Sequence, residues 1–221
     1  MKEKPILFST PMVKAIIEDR KIKTRRVIKG MGNKMHFGRL LGDWGLSDPP
    51  ELIDGVLHWT LQTDVDENEI FKVKCPWEVG QTLWVRETWN CLYMPINNKT
   101  EYWYKAGDEF EDSANEKWRP SIFMPRSAAR LFLKVTSISV ERLQDITQVD
   151  AIDEGATRIP SLPEYQKAFN EAIRNKTKPP LGESPRERFI RLWDSLNLKR
   201  GYGWDLNPWV WVVEFEKVEK P

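Results

Sequence analysis

The strongest constraint on the fold is the alternation of side chains in the C-terminal segment 208–217. Every second position of this segment carries a large apolar side chain: Trp209, Trp211, Val213 and Phe215. A period of two places successive side chains on opposite faces of a β-strand. Because Trp is highly buried on average, we expect the Trp face of this strand to pack in a core. The segment therefore predicts that the chain folds around a β-sheet.

Patterns along the rest of the chain predict further short strands and several helices. The dipeptide Thr10-Pro11 is typical of an N-cap followed by Pro at the first helical position. Thr147 and Asp150 form a capping box that opens a helix, and Gly155 closes it. The predicted helices are 11–19, 147–155, 163–175 and 185–197, and the predicted strands are 6–8, 22–28, 55–63, 81–87, 102–105, 129–140 and 208–217.

Short strands with helices between them are typical of an α+β fold built on a small barrel. The 221 residues fit one domain over 1–221. The density of Gly, Asp and Pro between residues 30 and 50, followed by an added strand, indicates an insertion at about 30–70. The helices predicted near the end of the chain form a helical excursion at about 156–200. We expect a single domain with these two additions.

Composition excludes several classes of protein. Apolar residues make up 40% of the chain and charged residues 30%, so the disordered and collagenous classes do not fit. The longest apolar runs, such as Val210 to Val213, are far shorter than the roughly 20 residues that span a bilayer, and the N-terminus opens no signal peptide. We expect no membrane partner. Cys75 and Cys91 are the only cysteines, which argues against a disulfide scaffold and favours the cytoplasm.

Metal and nucleotide cofactors are not expected either. His36 and His58, together with the two cysteines, form no closely spaced pair of metal ligands. The chain also lacks a Walker loop and the G-x-G-x-x-G pattern of dinucleotide sites. The sequence therefore predicts a protein without metal or cofactor.

One segment concentrates positive charge. The whole chain has 34 basic and 33 acidic side chains, and such a balance predicts no general attraction to polyanions. Between residues 20 and 29, however, six of ten residues are cationic and none is acidic: Arg20, Lys21, Lys23, Arg25, Arg26 and Lys29. This basic run either contacts phosphate groups of a nucleic acid or forms a solvated face.

Three residues at helix ends could carry out acyl transfer. A threonine hydroxyl such as that of Thr24 needs a base to become a nucleophile, and a neutral lysine such as Lys21 can serve as that base. A spacing of three brings the two side chains together only if Lys21 lies in a turn. Nearby cations lower the pKa of Lys21, whereas a close Glu154 carboxylate raises it. In the second case Lys21 stabilises an oxyanion and Glu154 is the base.

The same residue types are also common at helix ends, where they cap the helix and interact with its dipole. The residues alone therefore leave catalytic and structural roles open.

The segment 19–26, which reads Asp-Arg-Lys-Ile-Lys-Thr-Arg-Arg, resembles the G-x-K-x-x-E/T-x-R signature of the ASCH domain. Lys21, Thr24 and Arg26 match the signature, and Asp19 stands where glycine is usual. Five further stretches resemble ASCH proteins of phages and prophages: 80–89, 124–126, 143–154, 201–204 and 208–215. The resemblance implies an α+β fold of the PUA-like (ASCH) class, a small mixed β-barrel with flanking helices and insertions.

Small bacterial ASCH enzymes are N4-acetylcytidine amidohydrolases with a Lys, Thr and Glu catalytic set. Lys21 and Thr24 match the first two residues, and the pattern Thr-x-x-x-Ala-x-x-Glu at 147–154 places the third on Glu154. The resemblance thus implies hydrolysis of the acyl-amide of a modified cytidine or related nucleoside. Because other ASCH proteins bind RNA, the alternative is a non-catalytic module for RNA or a modified base. A third hypothesis is a phage protein that acts through a protein partner.

The expected partner is accordingly a modified nucleoside or single-stranded RNA. Trp204 lies between Gly203 and Asp205, in a segment where an aromatic ring could stack on a base. Together with cations that could contact phosphates, the candidate residues for nucleic-acid or nucleobase binding are Arg20, Lys23, Arg25, Arg26, Arg126, Tyr202 and Trp204.

Overall fold

The computed structural model describes residues 2–28, 51–53, 56–61, 69–96, 98–107, 117–156, 171, 174–175 and 184–221. Within these ranges the strands are β1 Lys4–Leu7, β2 Lys23–Val27, β3 Glu51–Ile53, β4 Val56–Leu61, β5 Glu69–Lys74, β6 Thr82–Arg86, β7 Trp89–Met94, β8 Lys99–Tyr104, β9 Phe132–Arg142 and β10 Trp209–Val218. The helices of more than one turn are α1 Thr10–Ile17, α2 Gln148–Asp153 and α3 Pro185–Asn197.

The central sheet has five strands in the order β1-β6-β9-β10-β2. The edge strand β1 runs parallel to β6, and the other neighbours are antiparallel. A β-bulge between Glu214 and Phe215 shifts the register of the long β9–β10 pair. Two smaller sheets are formed by β3-β4-β5 and by β7-β8. The fold is α+β, as the sequence predicts.

Both faces of strand β10 are buried. Trp211, Val213 and Phe215 lie in one core with residues of β1, α1, β6 and β9, and this group is called the inner core below. The alternating residues Val210 and Val212 pack on the other side against α2 and α3. The buried Trp face predicted from the alternation is confirmed, and the intervening valines explain why helices cover the opposite face as well.

The central sheet is curled but does not close into a barrel. Among the described residues its edge strands β1 and β2 share no backbone ladder. They meet through one side chain instead, because Nη2 of Arg26 in β2 donates to the carbonyl of Leu7 in β1 at 2.7 Å. The expected barrel is therefore corrected to an open sheet whose edges are joined by an arginine.

Elements predicted from local patterns are largely confirmed. The capping box of Thr147 and Asp150 opens α2, and α3 spans the predicted residues 185–197. The first helix begins one residue earlier than expected, so its N-cap is Ser9 and not Thr10. Strands β3, β5 and β7 lie outside the predicted strands. The strands of the insertion continue to Lys74, beyond the expected boundary at 70, while its remainder and nearly all of the helix predicted at 163–175 lie outside the described residues.

Asp19, which stands where the resembling signature has glycine, adopts a left-handed backbone conformation. Its φ is +56°, in the left-handed region that glycine adopts freely and aspartate tolerates better than most residues. This turn lets the backbone N–H groups of Arg20 and Lys21 both donate to the carbonyl of Ala15. The turn thereby ends α1 and directs the chain into the segment that carries Lys21.

We expect Asp19→Gly to be more stable than Asp19→Ala by about 1 kcal/mol, because alanine cannot adopt a positive φ without strain. Both variants lose the ion pair between Asp19 and Lys217 at 2.7 Å, so their difference isolates the backbone conformation. Urea unfolding of the two variants measures this difference. Equal free energies of unfolding would show that the turn relaxes without cost.

Candidate active site

The central feature of the site is a buried ion pair between Lys21 and Glu154. Lys21 follows the Asp19 turn, and Glu154 is the C-cap residue of α2, 133 positions later in the chain. The two residues form an isolated antiparallel bridge. Lys21 Nζ lies 2.6 Å from Glu154 Oε2, and the two side chains are 0% and 2% exposed. Tertiary packing thus brings together two of the three residues that the sequence proposed for catalysis.

The Lys21 ammonium uses all of its donors. Nζ donates to Glu154 Oε2, to the carbonyl of Lys23 at 2.7 Å and to the carbonyl of Glu154 at 2.9 Å. An ammonium has three N–H groups, so three acceptors satisfy it completely. Burial lowers the pKa of Lys21, and the Glu154 carboxylate opposes this shift. The hydrogen-bond pattern is that of a cationic lysine.

Gly155 makes this close pairing possible. Its φ is +78°, and a Cβ added here would lie 2.7 Å from Ala15 Cβ and 3.1 Å from Lys21 Cβ. A side chain at this position would therefore push apart the end of α2 and the segment that holds Lys21. The glycine that closes the capping-box helix in the sequence has a second role in tertiary packing.

Glu154 also binds a second buried cation. Arg25 is 1% exposed at its side chain, and its Nη1 lies 3.3 Å from Glu154 Oε1. Arg25 Nε donates to Glu141 Oε1 at 2.6 Å. Both carboxylate oxygens of Glu154 are therefore engaged by cations, and removal of this one side chain affects two buried charges.

Lys23 and Arg25 belong to an intramolecular network of ion pairs. Lys23 Nζ lies within 3.4 Å of three carboxylates, those of Asp150, Asp153 and Glu214. The reason is that Lys23 and Arg25 share the face of β2 that packs under the acidic helix α2. Both cations are ion-paired within the protein, and their assignment as phosphate contacts stays a prediction. Lys29 lies outside the described residues.

The Asp150 carboxylate is the most strongly stabilised acid of this network. Burial raises the pKa of Asp150, but hydrogen bonds from Thr147 and Lys23 and the charge of Arg25 outweigh burial and lower the pKa to about 2. Since the ordinary pKa is 3.8, the folded state favours the ionised form. The resulting stabilisation is fully present above about pH 4 and is lost as the pH falls towards 2.

We expect Asp150→Asn to lower the free energy of unfolding by about 2 kcal/mol at pH 7. The difference from wild type should shrink as the pH falls from 4 to 2, because the wild-type carboxylate becomes protonated in the same range. Urea unfolding at several pH values measures both effects. Asp153→Asn, which removes only an ion pair at 3.4 Å, is the matched control. A deficit that is independent of pH would mean that Asp150 acts through its capping geometry alone.

Thr24 lies in β2 and faces the inner core. It is 2% exposed and stands directly opposite Val213, a residue of that core. Its hydroxyl makes no hydrogen bond to another described residue. Lys21 Nζ approaches the same core, 5.5 Å from the centre of the Phe8 ring. Lys21 itself lies in an isolated bridge after the Asp19 turn, so the expectation that Lys21 lies in a turn is corrected.

Arg26 alternates with Arg25 and therefore points the other way, into the inner core, as Thr24 does. Its partner across the sheet is Trp211, and its guanidinium lies 5.1 Å from the centre of the Phe8 ring. Of the basic run, Lys21 and Arg26 thus approach the inner core. No functional role is predicted from the sequence for Phe8 or Ser9. The end of a strand that precedes a helix carries no local signal of which side chains it contacts.

The remaining candidate residues lie in other surroundings. Arg20 is bonded to Glu18 at the surface. Arg126 forms two hydrogen bonds to Glu3 and covers the ring of Phe132, in a separate cluster around Trp84 and Trp89. These ion pairs are structural contacts, and the structure does not bring Arg126 to the Lys21–Glu154 pair.

Trp204 is half-buried and packs against helix α3, and its role in stacking on a base stays a prediction. Its ring meets the ring of Phe189 edge-on at 6.5 Å, and the guanidinium of Arg186 covers it at 4.8 Å. The carbonyl of Tyr202 accepts a hydrogen bond from Trp193 Nε1 at 2.7 Å. The glycines around Trp204 predicted an exposed loop, whereas α3 supplies rings and a cation that cover the indole.

Comparison with known proteins returns no family model, no curated protein and no solved structure that matches the chain. Among the described residues no group of three His, Cys, Asp or Glu side chains could hold a metal ion. In the same part of the chain no helix is long and apolar enough to cross a membrane. The function has to be inferred from the chemistry of the site.

Proposed function

We propose that the protein is a hydrolase that cleaves the acyl-amide of a modified cytidine or related nucleoside, on a PUA-like fold of the ASCH type. The observation that carries the proposal is the buried Lys21–Glu154 pair at 2.6 Å, next to the core that Thr24 faces. A nucleophile, a cation and a carboxylate in a site with little water are the groups that acyl transfer needs. Both cysteines are free, and we propose the cytoplasm as its location.

In the proposed mechanism the Thr24 hydroxyl attacks the acyl carbon. The bond between Thr24 Oγ1 and the acyl carbon forms, the bond between that carbon and N4 of the cytidine breaks, and the hydroxyl proton passes through Glu154 to the leaving amine. The products of this step are cytidine and an acyl ester of Thr24. A water molecule then attacks the ester carbonyl and Glu154 accepts its proton. The bond between the acyl carbon and Thr24 Oγ1 breaks, Glu154 returns the proton to Thr24 Oγ1, and the carboxylic acid is released.

Lys21 acts in this mechanism as a cation. Its three hydrogen bonds leave no lone pair for the Thr24 proton, which favours the alternative in which the carboxylate is the base. The positive charge of Lys21 then stabilises the oxyanion of the tetrahedral intermediate. It also holds Glu154 in one orientation, so that a single side chain can accept and return the proton.

A second candidate function is a non-catalytic module that binds RNA or a modified base. One observation favours it: the donors of Lys21 and both oxygens of Glu154 already have protein partners, as in a purely structural ion pair. An RNA-binding surface would also need free cations, and Lys23 and Arg25 are ion-paired. On this hypothesis RNA affinity should fall with salt by a slope of about −0.7 per neutralised phosphate.

The test is to incubate the protein with N4-acetylcytidine and to follow the release of acetate and cytidine. The proposal predicts one acetate per cytidine and repeated turnover. Binding of the nucleoside without acetate release at high enzyme concentration would reject the hydrolase and favour the binding module. Longer N4-acyl chains, tested in parallel, define which acyl group the site accepts.

A further inference from the structure

Arg26 is a half-buried arginine that has no counter-ion among the described residues. Its Nη2 donates to the carbonyl of Leu7, and its guanidinium lies over the ring of Phe8. Its Nε is completely buried and has no hydrogen-bond partner. The guanidinium makes no ion pair with a described carboxylate. An unpaired cation inside a protein is costly, and such groups are normally paired with an acid or used to bind an anion.

A second unpartnered donor lies beside Arg26. Ser9 is the N-cap residue of α1, but its side chain makes no capping hydrogen bond. Its hydroxyl oxygen is completely buried and has no partner. Ser9 directly follows Leu7 and Phe8, the two residues that Arg26 contacts. The two buried donors therefore lie at the same place, where the end of β1 faces β2.

The surroundings carry an excess of positive charge. Lys21 Nζ and the Arg26 guanidinium lie 5.5 Å and 5.1 Å from the centre of the same Phe8 ring. The nearby acid, Glu154, is already bound by Lys21 and Arg25. Burial lowers the pKa of Arg26; Glu154 opposes this shift and the charge of Arg200 adds to it. A neutral nucleoside would leave this excess charge uncompensated.

We infer that Arg26 and Ser9 form a subsite for a phosphate group on the substrate, so that the site binds the nucleotide more tightly than the free nucleoside. The inference rests on the proposed function, because it concerns a substituent of the same substrate. A phosphate monoester offers several acceptor oxygens and up to two negative charges, which suit a guanidinium and a hydroxyl. Since Lys21 and Arg26 contact one ring, the acyl site and the phosphate subsite are close enough for one small ligand.

The test is calorimetric binding of cytidine 5′-monophosphate, cytidine and inorganic phosphate to the wild-type protein. We expect the nucleotide to bind at least about tenfold more tightly than cytidine, because a charge-assisted hydrogen bond is worth that much. Equal affinities for the nucleotide and cytidine would overturn the inference. Inorganic phosphate that binds as tightly as the nucleotide would overturn the assignment to a nucleotide, since the base would then contribute nothing.

Variants test whether the preference for the nucleotide over cytidine comes from Arg26 and Ser9. Arg26→Gln should reduce the ratio of nucleotide to cytidine affinity to about one, while Ser9→Ala should reduce it partially. Lys134→Gln, which removes an exposed cation of β9, should leave the ratio unchanged. A ratio that survives in Arg26→Gln would overturn the inference. If Arg26→Gln does not fold, the inference is tested by the affinity ratio of the wild-type protein and by its partial reduction in Ser9→Ala. The binding measurement does not depend on turnover. If acetate is not released but the nucleotide still binds more tightly than cytidine, only the hydrolase proposal is rejected.

Discussion

Glu154→Gln is expected to lower the free energy of unfolding by about 3 kcal/mol and to reduce turnover at least about 10²-fold. The loss of stability follows from burial, because the neutral amide leaves the ammonium of Lys21 without a counter-ion at a site where it is 0% exposed. The loss of activity follows from the proposed proton transfer. Urea unfolding and acetate release from N4-acetylcytidine measure the two effects on the same preparation.

Two further variants separate charge burial from chemistry. Glu141→Gln removes the other carboxylate that bonds Arg25, but Glu141 is 26% exposed, and we expect a cost of about 1 kcal/mol or less. The double variant Lys21→Met with Glu154→Leu replaces the ion pair by apolar side chains of similar size. It should regain much of the stability and remain inactive. A Glu154→Gln protein of wild-type stability would mean that water reaches the pair in solution.

Thr24→Ala is expected to reduce turnover by about 10³-fold or more, because the proposed mechanism has no other nucleophile. Thr24 is buried but its hydroxyl has no partner among the described residues, so the variant should lose only about 1 kcal/mol of stability. Thr24→Val keeps the shape of the side chain and removes only the hydroxyl. It should be as inactive as the alanine variant and close to wild type in stability.

Thr24→Ser is the positive control for this prediction. It keeps the hydroxyl and loses the methyl group that restricts its rotamer, so a measurable fraction of the activity should remain. The assay is the same release of acetate, with the free energy of unfolding measured in parallel. Full activity in Thr24→Val would remove Thr24 from the mechanism and would shift the role of nucleophile to a water molecule activated by Glu154.

Features that depend on neighbouring residues could be predicted from the sequence. The alternation in 208–217 determines which side chains of β10 face the inner core, and the capping box determines where α2 begins. The ASCH-like signature has glycine where this chain has Asp19, and Asp19 adopts the positive φ that glycine adopts freely. In each case the interaction that stabilises the element lies within a few residues, so the pattern and the structure depend on the same local energy.

The site itself was decided by tertiary packing. Residue types and a resemblance proposed Lys21, Thr24 and Glu154, but the ion pair joins segments 133 residues apart, and only the fold shows that Lys21 keeps all three donors occupied. The basic run illustrates the same limit. Its sequence shows cations without acids, whereas helix α2 supplies Asp150 and Asp153 to Lys23. The alternation of β2 then sends Arg26 to the opposite face.

The sequence by itself determined the strands of the central sheet, the capped helices and the side chains of β10 that face the inner core, because those follow from local patterns. Only the tertiary structure decided which charges are paired, that Trp204 is covered by Arg186, and that the sheet stays open between β1 and β2. The physical reason is that the energy of a charge or an aromatic ring depends on the partners that burial brings to it. Those partners come from distant segments and leave no periodic trace in the sequence.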